Sequence, residues 1–342
     1  MTDLEVSRRA VLAGMAMAPF APALARAAGE GIGSITRLDP ALDAVIDAAA
    51  PILVLATGYR WAEGPVWVKK GGYLLFNDVP ANLCYKWQQG KGASKFLDPS
   101  GLAGPIPPEI REAGANGMAI DAAGNLVMAD SGTRAIARVD LKTKKKTIVA
   151  DRYFDMRFNS CNDVAIGAEG RIYFTDPPYG LRDGDASTLK EIDYSGVYHV
   201  DAAGEVGLVD NKLSRPNGIG LSPNQGLLYV SMSDEARPQI LVYTLAADGT
   251  AMDEGRVFAD FGAELAQKLP GLPDGLKVAR SGHLFASGPG GIYVLSPEGA
   301  KLGLIATGKA IANCAFGSSD GRTLFLTSSD TLACVRLKVS GW

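Results

Sequence analysis

One short pattern occurs six times along the chain, and it restricts the possible folds more than any other feature. A residue carrying a side-chain oxygen opens a short apolar strand. A turn ending in Gly follows eight or nine residues later, and then a second strand rich in Leu, Tyr, Phe and Val. The opening residues are Glu63, Asn116, Asn162, Asn217, Asp274 and Asn313, and the matching glycines are Gly72, Gly124, Gly170, Gly226, Gly282 and Gly321. Each unit reads as a β-hairpin. The units recur at offsets of 53, 46, 55, 57 and 39 residues, which leaves room for two more strands each, as at residues 136–139 and 146–149. Four strands in each such unit define a propeller blade. The expected fold is therefore all-β: a six-bladed β-propeller. Only residues 40–50 and 262–269 look helical, too little for an α/β fold. Residues 332–337 are expected in the last blade, and an N-terminal strand at residues 52–56 would pair into that blade to close the ring.

The first residues stand apart. Ser7-Arg8-Arg9 precedes a weakly apolar run to Pro22, and Ala23-Leu24-Ala25 offers a small-residue cleavage site. Residues 1–27 read as a signal peptide, and the paired arginines point to the twin-arginine (Tat) export machinery. The run is too short and too rich in Ala to span a membrane comfortably. Residues 28–50 then form a lead-in and residues 51–342 the propeller, in a protein expected in the periplasm or secreted, with no membrane attachment after cleavage. The net charge of −3 and the absence of basic blocks beyond residues 142–146 argue against a nucleic-acid partner. That lysine run is expected at a solvated hairpin tip. Of four cysteines, Cys314 and Cys334 share the last repeat and could pair in an oxidising compartment; buried free thiols are the default.

The chemistry is carried by the opening position of each repeat. In a propeller the innermost strands surround one axis, so equivalent residues converge. Glu63 and Asp274, 211 positions apart, can meet there together with four asparagines. Two carboxylates and several amide oxygens make a hard-oxygen donor set suited to Ca²⁺, Mg²⁺ or Mn²⁺. The two histidines, His199 and His283, lie elsewhere, which disfavours a histidine-bound zinc. The competing reading is that Asn-Gly and Asp-Gly are simply turn dipeptides.

The stretches Trp61-Ala62-Glu63-Gly64-Pro65-Val66-Trp67, Asn159-Ser160-Cys161-Asn162-Asp163-Val164, Asp176-Pro177-Pro178-Tyr179-Gly180, Arg215-Pro216-Asn217-Gly218 and Pro273-Asp274-Gly275 resemble the family of gluconolactonases, regucalcin (senescence marker protein 30) and the squid-type phosphotriesterase, over roughly residues 55–335. The resemblance is strongest to the bacterial gluconolactonases. It implies a central catalytic divalent cation held by Glu63, Asn162, Asn217 and Asp274, with Ca²⁺ favoured and Mg²⁺, Mn²⁺, Zn²⁺ or Fe²⁺ as alternatives. It further implies Asp274 as the proton acceptor, with Asp163 as a second candidate, and Asn159 as a substrate contact. Asn116 is read as lining the channel against substrate and Asn313 as structural. Cys161 stands where bacterial members usually have Pro and could place a thiol near the site. The implied activity is hydrolysis of a sugar lactone by Lewis-acid activation of the carbonyl and attack by water. Alternatives are hydrolysis of another ester, lactone or phosphotriester, or a non-catalytic propeller with a structural ion.

Overall fold

The computed structural model describes residues 31–341. The expected signal peptide at residues 1–27 lies outside the described residues. Among the described residues six antiparallel blade sheets follow one another, with one two-stranded ribbon, Arg152–Tyr153 paired with Met156–Arg157, after the second. Blade 1 is built from Ala62–Val68, Tyr73–Asp78, Leu83–Gln88 and Gly92–Leu97; blade 2 from Met118–Ile120, Leu126–Asp130, Ala135–Val139 and Lys146–Ala150. Blade 3 comprises Val164–Ile166, Ile172–Asp176, Gly196–Val200 and Val206–Asp210; blade 4 comprises Pro216–Leu221, Leu227–Met232, Gln239–Thr244 and Arg256–Asp260. Blade 5 starts with Leu276–Val278, Leu284–Gly288, Gly291–Leu295 and Lys301–Ala306. Blade 6 is Asn313–Gly317, Thr323–Ser328 and Thr331–Arg336, completed by Leu53–Thr57 from the N-terminal side. The first strand of each blade touches the first strand of the next, and blade 6 returns to blade 1, so the six inner strands enclose one channel.

The hairpin turns fall where the pattern put them, with left-handed backbone at five of the six glycines. In blade 4 it is Gln225 rather than Gly226 that takes the left-handed conformation, a shift of one residue. Ring closure also follows the expected strand. Leu53–Thr57 pairs antiparallel with Thr331–Arg336, matching Leu53 with Cys334 and Thr57 with Thr331. The stacked pair Trp67 and Phe325, with ring centroids 5.5 Å apart, fills the seam between blades 6 and 1. Stacked and edge-on aromatic pairs of this kind contribute beyond their buried area.

The lead-in segment belongs to the fold, so the expected boundary at residue 51 is too late. Ser34–Arg37 adds a fifth strand to blade 5 by pairing with Lys301–Ala306. Residues 40–50, expected as a helix, form only one 3₁₀ turn, Pro40–Ala44, capped by Asp39. An Asx turn then interrupts it: Ala49 N donates to Asp47 Oδ1 at 2.9 Å. The helical spacing of Leu42, Val45 and Ile46 is real, and all three are buried against Ile305, Leu324 and Leu337. The second helical reading likewise reduces to a single turn, Gly262–Leu265, with left-handed backbone at Lys268. The run at residues 142–146 is a hairpin tip, but Lys146 is not solvated there. Its ammonium donates to Asp130 Oδ2 at 2.8 Å and to the carbonyls of Ser100 and Gly101 at 2.7 and 2.8 Å.

Cys314 and Cys334 are both free, and they cannot pair in this fold. Cys314 lies opposite Leu326 and Cys334 opposite Phe325. Neighbouring residues of a strand point to opposite faces, so the two thiols lie on opposite faces of blade 6, in different hydrophobic clusters. Thiol titration of denatured, unreduced protein should therefore find four thiols per chain; two would indicate a bridge.

Candidate active site at one mouth of the channel

The six opening residues are placed by their backbones. In blades 2 to 6 the carbonyl of the opening residue, or of the residue before it, accepts a hydrogen bond from the preceding blade, whereas in blade 1 Ala62 N donates to Ser329 O of blade 6 at 2.7 Å. Asn77 Nδ2 donates to Asn116 O at 2.7 Å, Gly117 N to Asn162 O at 2.8 Å, and Thr175 Oγ1 to Asn217 O at 2.6 Å. Ser231 Oγ donates to Asp274 O, and Gly275 N to Ala312 O at 2.8 Å. A second device fixes the approach to the inner strand. Asp78 accepts from Arg60 N and Trp61 N, just before Glu63, and Asp176 accepts from Asn159 N and Ser160 N, just before Asn162.

The Asn-Gly and Asp-Gly dipeptides are not hairpin turns. A Cβ on Gly117 would lie 2.0 Å from Asp163 Oδ1, and one on Gly275 would lie 1.9 Å from Asn313 Cγ. These glycines let adjacent inner strands approach closely enough to bring the opening residues together. Gly275→Ala is expected to cost about 1–3 kcal/mol, read as a lowered urea midpoint with an unchanged denaturant slope.

A cavity of about 550 Å³ opens at this mouth. Glu63, Asn116, Asn162, Asn217 and Asp274 all line it. The Asn217 amide nitrogen donates to Ser233 Oγ at 2.8 Å, which leaves its oxygen for the cavity. Glu63 Oε2 accepts from Gly64 N at 2.5 Å and from Asn313 Nδ2 at 3.2 Å. Asn313 thus sits beneath the cavity and steers the Glu63 carboxylate, in keeping with a structural role. Asp163 does not reach the cavity wall. It is buried below, where its carboxylate accepts from Val164 N at 2.8 Å and lies 3.8 Å from Lys277 Nζ.

Asn159 is not brought to the cavity either. It is fully buried, and its amide donates to Asp176 O at 3.1 Å and Tyr194 O at 2.8 Å. A substrate contact through Asn159 would require its loop to be rebuilt. Cys161 also turns away: its thiol is buried in the core between blades 2 and 3, and burial raises its pKa well above the usual thiol range. Such a thiol is unreactive.

The length and Pro-rich stretch of residues 97–115 mark that segment in the sequence as a candidate overhang of the channel mouth, but the individual rim residues carry no such mark. Residues 97–115 reach over the mouth and contribute Arg111 and Glu112, whose side chains meet at 3.2 Å. The loop is held by Arg111 N and Glu112 N, both donating to Gly180 O, and by packing of Ile110 and Ala113 on Leu181. Tyr179, within a stretch already notable in the sequence, lines the same cavity, as do Trp61, Leu265, Leu269 and Leu272. A single polar tip on the loop carries no sequence signal of its own; its position depends on contacts with blade 3.

Three carboxyl groups surround the axis, Glu63 and Asp163 buried and Asp274 half-buried with Oδ1 fully covered, and the pKa of each is pushed upward. Burial raises Glu63 to about 8, opposed by the Gly64 amide. Asp274 lies well above its ordinary value through burial and the nearby charges of Glu63 and Asp163. Asp163 is raised by burial and held back by Lys277. Asp274 Oδ1 is buried without any hydrogen-bond partner. An ionised carboxylate in that state is costly, and the oxygens of Glu63, Asn162 and Asn217 line the same cavity. This donor set fits a hard divalent cation.

Raised carboxyl pKa values make the cation-free fold bind more protons than the unfolded chain between the ordinary carboxyl range and about 8. Its stability should therefore be greatest in mild acid and fall as pH rises through that window. Urea unfolding in chelator at pH 5, 6.5 and 8 tests this. Saturating divalent cation should flatten or reverse the trend.

The chain belongs to the family described as SMP-30/Gluconolactonase/LRE-like region, which matches residues 61–330. It is 45 % identical to a gluconolactonase of Zymomonas mobilis over the whole length of both chains. A solved gluconolactonase from Xanthomonas campestris is 29 % identical and superposes with a TM-score of 0.77, covering 92 % of this chain and 99 % of its own. A calcium-binding regucalcin from Agrobacterium tumefaciens, 19 % identical, shares the fold with a TM-score of 0.67, covering 84 % of this chain and 94 % of its own.

Proposed function

We propose that this protein is an exported, metal-dependent lactonase that opens a sugar lactone of the gluconolactone type. The observation that carries this reading is the unpartnered Asp274 Oδ1, buried where the side chains of Glu63, Asn162 and Asn217 also face the cavity. The full-length similarity to a gluconolactonase supports the substrate class. Export rests on the twin-arginine pattern at residues 7–25.

Glu63, Asn162, Asn217 and Asp274 would hold the cation, with Ca²⁺ favoured by an all-oxygen donor set. When bound, it supplies Lewis-acid polarisation of the lactone carbonyl and stabilises the negative charge that develops there. The remaining chemistry belongs to the chain. Asp274 accepts a proton from the attacking water as the water oxygen bonds to the carbonyl carbon. The ring C–O bond then breaks, and its oxygen takes up a proton to give the open hydroxy acid. Asp274 is the better placed of the two acceptor candidates because it lines the cavity and Asp163 does not. Arg111, Glu112 and Tyr179 offer hydrogen bonds to sugar hydroxyls, and Trp61, Leu265, Leu269 and Leu272 form the apolar part of the rim.

The test is hydrolysis of D-glucono-1,5-lactone by chelator-stripped mature protein, with Ca²⁺, Mg²⁺, Mn²⁺, Zn²⁺ or Fe²⁺ restored in turn and the spontaneous rate subtracted. Activity should vanish on stripping and return with a divalent ion. Asp274→Asn should lower kcat by about 10²–10⁴-fold, the range expected for loss of a general base. Folded, reloaded protein that opens no sugar lactone would overturn the reading.

A further inference from the structure

On each inner strand the third residue after the opening position faces the opposite end of the channel, where a second cavity of about 460 Å³ lies. In five blades that residue is uncharged: Val66, Ala119, Ala165, Gly220 and Phe316. In blade 5 it is Lys277, the one charged residue at this level. The Lys277 ammonium turns back toward the axis. It lies 3.8 Å from Asp163 Oδ2, 3.4 Å from Asn313 Oδ1 and 2.9 Å from Leu276 O. Asn313 in turn touches both Glu63 Oε2, at 3.2 Å, and Asp163 Oδ2, at 3.5 Å. Lys277 is therefore wired through one amide to the carboxylates beneath the first cavity.

Lys277 is half-buried at the second cavity, and an ammonium drawn away from open solvent is favourable only when it is paired. Glu63, Asp163 and Asp274 bring three negative charges when ionised, and Lys277 brings one positive charge. The remaining two are what a divalent cation neutralises; Glu235, which also lines the first cavity, is exposed and screened by solvent there. Glu112, whose charge also reaches Asp274, has its own counter-ion in Arg111.

We propose that Lys277 is a built-in counter-ion that sets the charge of the site, so that a divalent cation neutralises it and a trivalent one overshoots. The inference rests on the metal site proposed above and assigns Lys277 a positioning and selectivity role; it is not a ligand. Without Lys277 the site retains three negative charges, and cations bind more tightly in proportion to their own charge.

The experiment is calorimetric titration of chelator-stripped protein with Ca²⁺ and with Tb³⁺, for wild type, Lys277→Met and Lys277→Arg at one pH. Lys277→Arg should behave as wild type. Lys277→Met should bind Ca²⁺ on the order of tenfold more tightly and Tb³⁺ on the order of thirtyfold, because the repulsion removed scales with the ion's charge. The Tb³⁺/Ca²⁺ affinity ratio should thus rise about threefold. Lys277→Gln makes the same charge change with a polar end and serves if the Met variant does not fold. An unchanged ratio, or weaker binding of both ions in the charge-loss variants, overturns the inference while leaving the metal site standing. Wild-type protein that binds neither ion overturns the metal site itself.

Discussion

The site depends on how closely adjacent inner strands can approach. Most of the blade-to-blade hydrogen bonds around the channel end on a carbonyl at or next to an opening residue. The same contacts that hold one blade to the next therefore fix where Asn116, Asn162, Asn217 and Asp274 point. Fold stability and site geometry are not separable here. A loosened seam between two blades displaces a donor, and a larger residue after an opening position forces the seam apart. Asp163 and Cys314 occupy two of these positions in place of Gly. Asp163 is accommodated because Gly117, in the neighbouring strand, has no side chain to oppose it.

This arrangement concentrates negative charge where water is scarce. Hydrogen bonds offset part of the cost: Glu63 has the Gly64 amide and Asn313, and Asp163 has Val164 N and Lys277. Asp274 is compensated least, with one oxygen unpartnered. A fold built for stability alone would fill these positions with apolar residues, since replacing buried ionic groups by packed hydrophobes is often neutral or stabilising. The unpartnered Asp274 oxygen lies at the open cavity, the side from which the proposed cation would enter.

Much of this was legible in the sequence because it is local and repeated. The six hairpins, the inner-strand residues and the closing strand all follow from one pattern and the geometry of a ring. What the sequence concealed occurs only once. Ser34–Arg37 is a short strand with no counterpart in the repeat, added to a blade some 270 residues away. Residues 40–46 carry a helical spacing that serves packing rather than a helix. Asn159 sits in a stretch typical of a site, yet it is fully buried and its amide nitrogen is consumed by the Asp176 and Tyr194 carbonyls. The Asp78 and Asp176 clamps were visible as residues but not as partners, since hydrogen bonding to a loop 16–18 positions earlier leaves no periodic trace.

The division between ring and rim also suggests how such a scaffold can diversify. The ring positions are constrained from both sides, by neighbouring strands and by each other's charge, so a substitution there alters the fold and the proposed ion site together. The rim is held outside the blade strands. Arg111 and Glu112 are anchored by backbone hydrogen bonds of their loop to Val79, Gly180 and Arg182 and by a small apolar contact, and Leu265 and Leu269 sit on and beside a single helical turn. Changes in length or sequence at residues 97–115 or 262–272 can reshape the cavity mouth without disturbing a blade. Substrate choice should therefore be determined mainly at the rim, and the common chemistry mainly in the ring, because only the ring couples the placement of its oxygens to the closure of the fold.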